Sequence, residues 1–78
     1  MIVENISNKQ LIILNLLGEG RNLVLPPKEK SDNILPTKSI LNTLINKSDQ
    51  LRLIVHDHME LEMLGELDPR ASQIVVLE

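Results

Sequence analysis

The chain contains no cysteine and no aromatic residue of any kind. The first absence excludes disulfides and every thiolate metal site. The second removes the side chains that bury the most area each, so Leu, Ile, Val and Met must build the whole core. At 78 residues there is room for a single domain spanning 1–78 and nothing further. A domain this small buries a modest fraction of its surface, and small scaffolds commonly gain stability from disulfides, metals or association. With disulfides excluded, association is the expected route. Long apolar runs are also missing: no stretch approaches the length of a membrane span. No basic segment followed by an apolar one and a small-residue cleavage site opens the chain. The expectation is therefore a protein that is cytoplasmic at synthesis and makes no membrane contact.

Positive charge is scarce as well. The net charge is −3 and the pI about 5.3, whereas nucleic-acid binders carry a basic field. The imbalance is unevenly distributed. Residues 1–48 hold six basic and four acidic side chains, and residues 49–78 hold two basic and seven acidic. The halves sum to +2 and −5. Arg21, Lys28, Lys30 and Lys38 make up most of the basic surplus, and no ring accompanies them on which a base would stack. Contacts with the acidic half of a neighbouring copy, or plain solvation, account for them better than nucleic acid.

What is present begins with Gln10–Pro27, which reads as the centre of the domain. Leu11–Leu17 is almost wholly apolar, with Leu11, Ile13 and Leu17 on one strand face and Ile12, Leu14 and Leu16 on the other. Only Asn15 interrupts the run. Gly18-Glu19-Gly20-Arg21-Asn22 has the residue types of a hairpin loop, and Leu23–Leu25 returns as a strand that Pro26-Pro27 terminates. As a phosphate-binding loop the same glycines lack a third Gly and a Lys-Ser/Thr pair. A strand apolar on both faces needs cover on both, which a chain this short has little material to provide.

The flanks follow simpler rules. Ile2 and Val3 favour a first strand. Thr37–Ser48 is the clearest helix, with Thr37 as N-cap and Ile40, Leu41, Leu44 and Ile45 along one face. Leu51–Val55 is a strand. Beyond it the alternation of Leu51, Leu53, Val55, Asp57, Met59, Leu61 and Met63 tilts 56–67 towards strand, against a Met-, Leu- and Glu-rich composition that favours helix. Asp68-Pro69 breaks the pattern, and Ser72–Leu77 reads as a last strand, so 68–78 is expected to form an extended C-terminal arm or an edge strand. The fold class this implies is mainly β with one short α-helix, as a small β-sandwich or barrel-like domain.

Chemistry-bearing residues cluster once, at His56-Asp57-His58 with Glu60 and Glu62. On a strand, His56, His58, Glu60 and Glu62 would share a face, and imidazoles with carboxylates can bind zinc. Four ligands in a row along one strand span too far to surround one ion, so at most His56 and His58 would chelate together. Asp57 would point to the opposite face, poorly placed to orient either ring as a base. No Ser lies in a nucleophile elbow. The reading is of no catalytic residue, no cofactor, no metal and no small-molecule substrate. Asn5-Ile6-Ser7 and Asn46-Lys47-Ser48 match the glycosylation pattern, but no secretory signal accompanies them.

From Val3 to Val55 the features occur in a set order. Asn5-Ile6-Ser7 leads to an apolar strand and a Gly loop. Leu23-Val24-Leu25-Pro26-Pro27-Lys28-Glu29 follows, then the helix Ile40–Ile45 and the strand Leu51–Val55. This order resembles small structural proteins of tailed bacteriophages, in which two strands, a Leu-Pro-Gly-Glu-like turn, a helix and a strand succeed one another. Lys28 stands where that pattern has Gly, and the chain from His56 onward has no counterpart in it. The resemblance implies a non-enzymatic virion component of a capsid, neck or tail, whose partners are virion proteins or further copies of itself. The alternative is a small soluble inhibitor or regulatory binder of a host enzyme, acting through the acidic half.

Overall fold

Leu51–Val55 becomes the middle strand of a three-stranded sheet, and the rest of the chain is arranged about it. The computed structural model describes Met1–Glu78 throughout. Its elements are β1 (Ile2–Asn5), β2 (Leu11–Ile13), β3 (Leu23–Leu25), α1 (Lys38–Ile45), β4 (Leu51–Val55), α2 (His58–Leu67), a 3-10 turn (Pro69–Gln73) and β5 (Val75–Leu77). β1 pairs antiparallel with one edge of β4, and β5 pairs parallel with the other. A parallel neighbour demands a crossover connection, and α2 with the 3-10 turn provides it.

Period-two alternation sorts β1 and β4 onto two faces. Val3 lies opposite Leu53 and Asn5 opposite Leu51, all of them buried in the main core layer. On the reverse face Glu4 lies opposite Arg52 and Ile2 opposite Ile54. Ile54 is 1% exposed although it stands outside the main cluster. Its neighbours in register are Ile2 and Val76, and beside it Arg52 ion-pairs with Glu4 and reaches Glu78 at 3.6 Å.

β2 and β3 form a separate antiparallel pair with Leu11 opposite Leu25, Ile12 opposite Val24 and Ile13 opposite Leu23. The strand ends at Ile13, four residues earlier than the apolar run suggests. Asn15 explains this. It adopts the left-handed conformation (φ 59°), its N–H donates to Asn22 Oδ1 at 2.9 Å, and its own Oδ1 accepts from Gly20 N–H at 3.0 Å. A short polar side chain tolerates that backbone geometry and bonds locally, so the chain turns and carries Leu16 back into the core.

The side chain of Asn5, fully buried, joins the two sheets. Its Nδ2 donates towards the carbonyls of Lys9, Leu25 and Pro26 at 2.7, 3.1 and 3.1 Å. Its Oδ1 accepts from the Ser7 N–H and hydroxyl at 3.0 and 2.7 Å. The glycosylation match at Asn5 is thus a structural amide with no free donor or acceptor. The far edge of β1 is covered by the return of the chain after β3. Asn5 N–H donates to Glu29 O at 2.9 Å, Ser31 N–H to Val3 O at 2.8 Å and Ile34 N–H to Met1 O at 2.7 Å.

The two helices lie against this framework. Thr37 caps α1, its side chain accepting from Ile40 N–H at 3.1 Å, and Leu41 and Leu44 are fully buried. α2 corrects the strand reading of 56–67. Asp57 is its N-cap, accepting from Glu60 N–H at 2.7 Å, and Leu61, Leu64 and Leu67, three residues apart, turn to the core. The alternation of Met59, Leu61 and Met63 was a coincidence of composition, and helix propensity with a cap outweighed it. Ser72–Leu77 differs from its expected strand in a similar way. Asp68 caps a 3-10 turn with Pro69 at its start, leaving only Val75–Leu77 to pair. Two helices and two separate sheets make a mixed α/β domain, in place of a mainly β sandwich or barrel with one helix.

Candidate interaction surface

The hairpin buries one face and leaves the other bare. Leu11, Ile13, Leu23 and Leu25 point into the core, each no more than 5% exposed. Their neighbours point outward: Ile12 and Val24, directly opposite one another, are each 48% exposed, and Leu14 beside them is 70% exposed. Val24 also lines the gap between β3 and residues 30–34. The sequence placed Ile12, Leu14 and Leu16 together on one strand face, and the structure exposes the first two and buries Leu16.

Two adjoining grooves separate the hairpin from the return segment. The larger, about 590 Å³, runs between β3 and residues 30–34, and the smaller, about 420 Å³, continues to the start of α1. They share Leu17, Arg21, Asn33 and Ile34. Leu35, 80% exposed, and Ile40 form the apolar wall of the smaller groove. Arg21 and Lys30 line the larger groove with Asp32. Ion pairs elsewhere join Met1 to Glu60, Arg52 to Glu4 and Glu78, and Arg70 to Asp68, so neither Arg21 nor Lys30 is neutralised by a carboxylate.

The His56–Glu62 cluster is dispersed by α2. Asp57 is spent on the cap, and Glu60 turns inward, its Oε1 2.5 Å from the Met1 ammonium. That ammonium also donates to Asn33 Oδ1 and Ile34 O at 2.9 and 3.0 Å. His56 Nδ1 lies 3.3 Å from Glu78 O, outside the helix that His58 begins. No three His, Asp or Glu side chains are grouped to hold a metal ion. The outward face of α2 instead carries Met59, Glu62, Met63 and Glu66, all exposed. Their spacing of i, i+3, i+4 and i+7 puts them in one stripe. The sequence reading missed this stripe because a strand would have divided the four between two faces.

A second feature that sequence reasoning missed is Asp68 with Arg70. Arg70 donates to Asp68 Oδ1 and Oδ2 at 3.1 and 2.8 Å and to Asn42 Oδ1 at 2.9 Å, tying the 3-10 turn to α1. The Arg70 side-chain hydrogen bond, with the backbone bond from Arg70 N–H, holds the Asp68 carboxyl below the ordinary aspartate range. Asp followed by Pro is a recognisable start of a helical turn, so the signal was present but was read only as a break.

No family model, no curated protein and no solved structure matches this chain. No helix is long and apolar enough to cross a membrane.

Proposed function

We propose that this protein is a non-enzymatic component of a larger protein assembly, working by burying its hairpin face against a neighbour. The observation that carries the reading is the bare triplet of Ile12, Leu14 and Val24. Exposed apolar side chains occur singly on most proteins, but contiguous ones mark association surfaces. Two lie directly opposite each other on paired strands, so their side chains are neighbours on one face. The edge strand β5 adds a second means of contact, because an unpaired strand edge accepts another strand. The virion of a tailed bacteriophage is the assembly that the order of features from Val3 to Val55 suggests. Partners are then virion proteins or further copies of the chain, without nucleic acid, membrane or small-molecule substrate.

The test is a double substitution, Ile12→Lys with Val24→Lys, in full-length protein. Circular dichroism should be unchanged, and incorporation into the assembly, followed by mass spectrometry of purified particles, should be lost. Incorporation at the wild-type level would remove the hairpin face from consideration. The alternative, a small inhibitor or regulatory binder of a host enzyme, rests on the acidic, Met-bearing stripe of α2. It predicts capture of one enzyme in equimolar amount from host lysate, and loss of that capture with Glu62→Lys and Glu66→Lys.

A further inference from the structure

The groove beside the hairpin and the outward stripe of α2 are opposite in charge, and each sets that charge beside apolar side chains. The groove offers an apolar floor and wall, from Leu17, Ile34, Leu35 and Ile40, beside the unneutralised cations Arg21 and Lys30. The stripe offers Met59 and Met63 alternating with Glu62 and Glu66, none of the four in an ion pair. Methionine is flexible and polarizable, well suited to filling an irregular apolar groove. An amphipathic helix laid into a groove is a recurrent mode of recognition, read through anchors at i, i+3, i+4 and i+7.

We propose that the α2 stripe of one copy seats in the groove of a second copy, with Met59 and Met63 on the apolar floor and Glu62 and Glu66 towards Arg21 and Lys30. This rests on the reading of the protein as an assembly component and adds a partner and a polarity to it. The two surfaces cannot meet within a single chain. α2 is fixed to its own core by Leu61, Leu64 and Leu67 on the opposite side, and none of the groove residues belongs to α2. The division of charge between the halves, +2 and −5, has the sign this contact requires. Asp32, the one acid lining the groove, gives the contact an orientation, because Glu62 and Glu66 avoid it in favour of Arg21 and Lys30.

The geometry has a consequence for assembly. A contact between two different surfaces is heterologous, so each copy retains a free groove and a free stripe and growth is head to tail. A helix of ten residues is about 15 Å long, so the interface falls below the roughly 1,200 Å² of stable complexes. Association is therefore weak, and it falls with added salt because charges at its rim are screened.

Sedimentation velocity on the full chain, from about 10 μM to about 1 mM, tests the proposal with two double variants. Arg21→Glu with Lys30→Glu disables the groove and leaves the stripe intact. Glu62→Lys with Glu66→Lys disables the stripe and leaves the groove intact. Wild type should show a mean mass that rises with concentration and falls with salt, while each variant alone stays at monomer mass. Mixed in equal amounts at low salt, the variants should associate again into alternating head-to-tail species larger than a dimer, because the acidic stripe of one meets the basic groove of the other and the two reversed surfaces also match in charge. A wild type that is monomeric throughout overturns the proposal, as does a mixture that stays monomeric. Self-association that persists in both variants overturns it too. If that persistent association is then abolished by Ile12→Lys with Val24→Lys, the hairpin reading stands while this one fails.

Discussion

The side-chain amide of Asn5 donates to the carbonyl oxygen of Leu25 at 3.1 Å, and through it the three-stranded sheet grips the hairpin. No main-chain ladder joins β1 to β3. The same amide reaches Lys9 O and Pro26 O, so it fixes where the chain enters and leaves the hairpin. The position of the candidate surface relative to the rest of the molecule therefore depends on this buried side chain together with the packing of Leu11, Ile13, Leu23 and Leu25 in the core.

Replacing Asn5 should accordingly cost more than an average substitution. Asn5→Ala strands buried carbonyls, and a loss of about 2–4 kcal/mol is expected. Asn5→Asp keeps the shape but sets a carboxylate against the same carbonyls, and should be at least as damaging at neutral pH. Urea denaturation of both variants checks this, and a loss below about 0.5 kcal/mol for either would show the amide to be dispensable.

Adjacent residues of β2 should respond in opposite ways. Ile13→Ala opens a cavity under the hairpin and should cost about 2–4 kcal/mol. Ile12→Thr, on the bare face, should leave stability within about 0.5 kcal/mol while reducing binding of an apolar dye or of a partner. Equal losses of stability from the two would mean that Ile12 is covered in solution.

Lys28 carries backbone strain. It has φ 66° at the third position of the turn closed by Glu29 N–H to Pro26 O at 3.2 Å, a place suited to glycine. Lys28→Gly should stabilise the domain by about 0.5 kcal/mol, net of the exposed bond from Lys28 Nζ to Ile6 O at 2.7 Å. Lys28→Ala loses that bond without relieving the backbone and should gain nothing. Thermal melts of the two, side by side, separate strain from side-chain bonding.

Acid should weaken the 3-10 turn through Asp68. Its carboxyl is held below the unfolded value of 3.8 by Arg70. A depressed folded pKa adds stability above the unfolded value, and that stability is lost as pH falls through the folded one. Asp68→Asn retains a cap but cannot titrate. The stability gap between wild type and Asp68→Asn should stay level from about pH 7 to about pH 5 and close below about pH 4. Urea midpoints across that range test it, and a gap that widened in acid would contradict the sign.

Local rules made some of the fold legible. Thr37 and its apolar face specified α1, Leu51–Val55 announced a strand, and the two-faced apolar run at Leu11–Leu17 announced a surface in need of cover. These depend on neighbours along the chain, which the sequence contains in full. Other features depend on residues brought together from afar. Whether Met59–Met63 alternated as a strand or wound as a helix was near balance locally. The burial of Leu64 in the core decided it, and β5 could then return parallel to β4. Asn5 stood out in the sequence only as a glycosylation match until folding brought the carbonyls of Leu25 and Pro26 to its amide. The groove beside Arg21 exists only because Glu29–Ile34 pairs with β1 instead of β3. Short-range periodicity fixes which side chains share a face. Only long-range pairing decides what stands opposite that face, and here it leaves the outer side of the hairpin open.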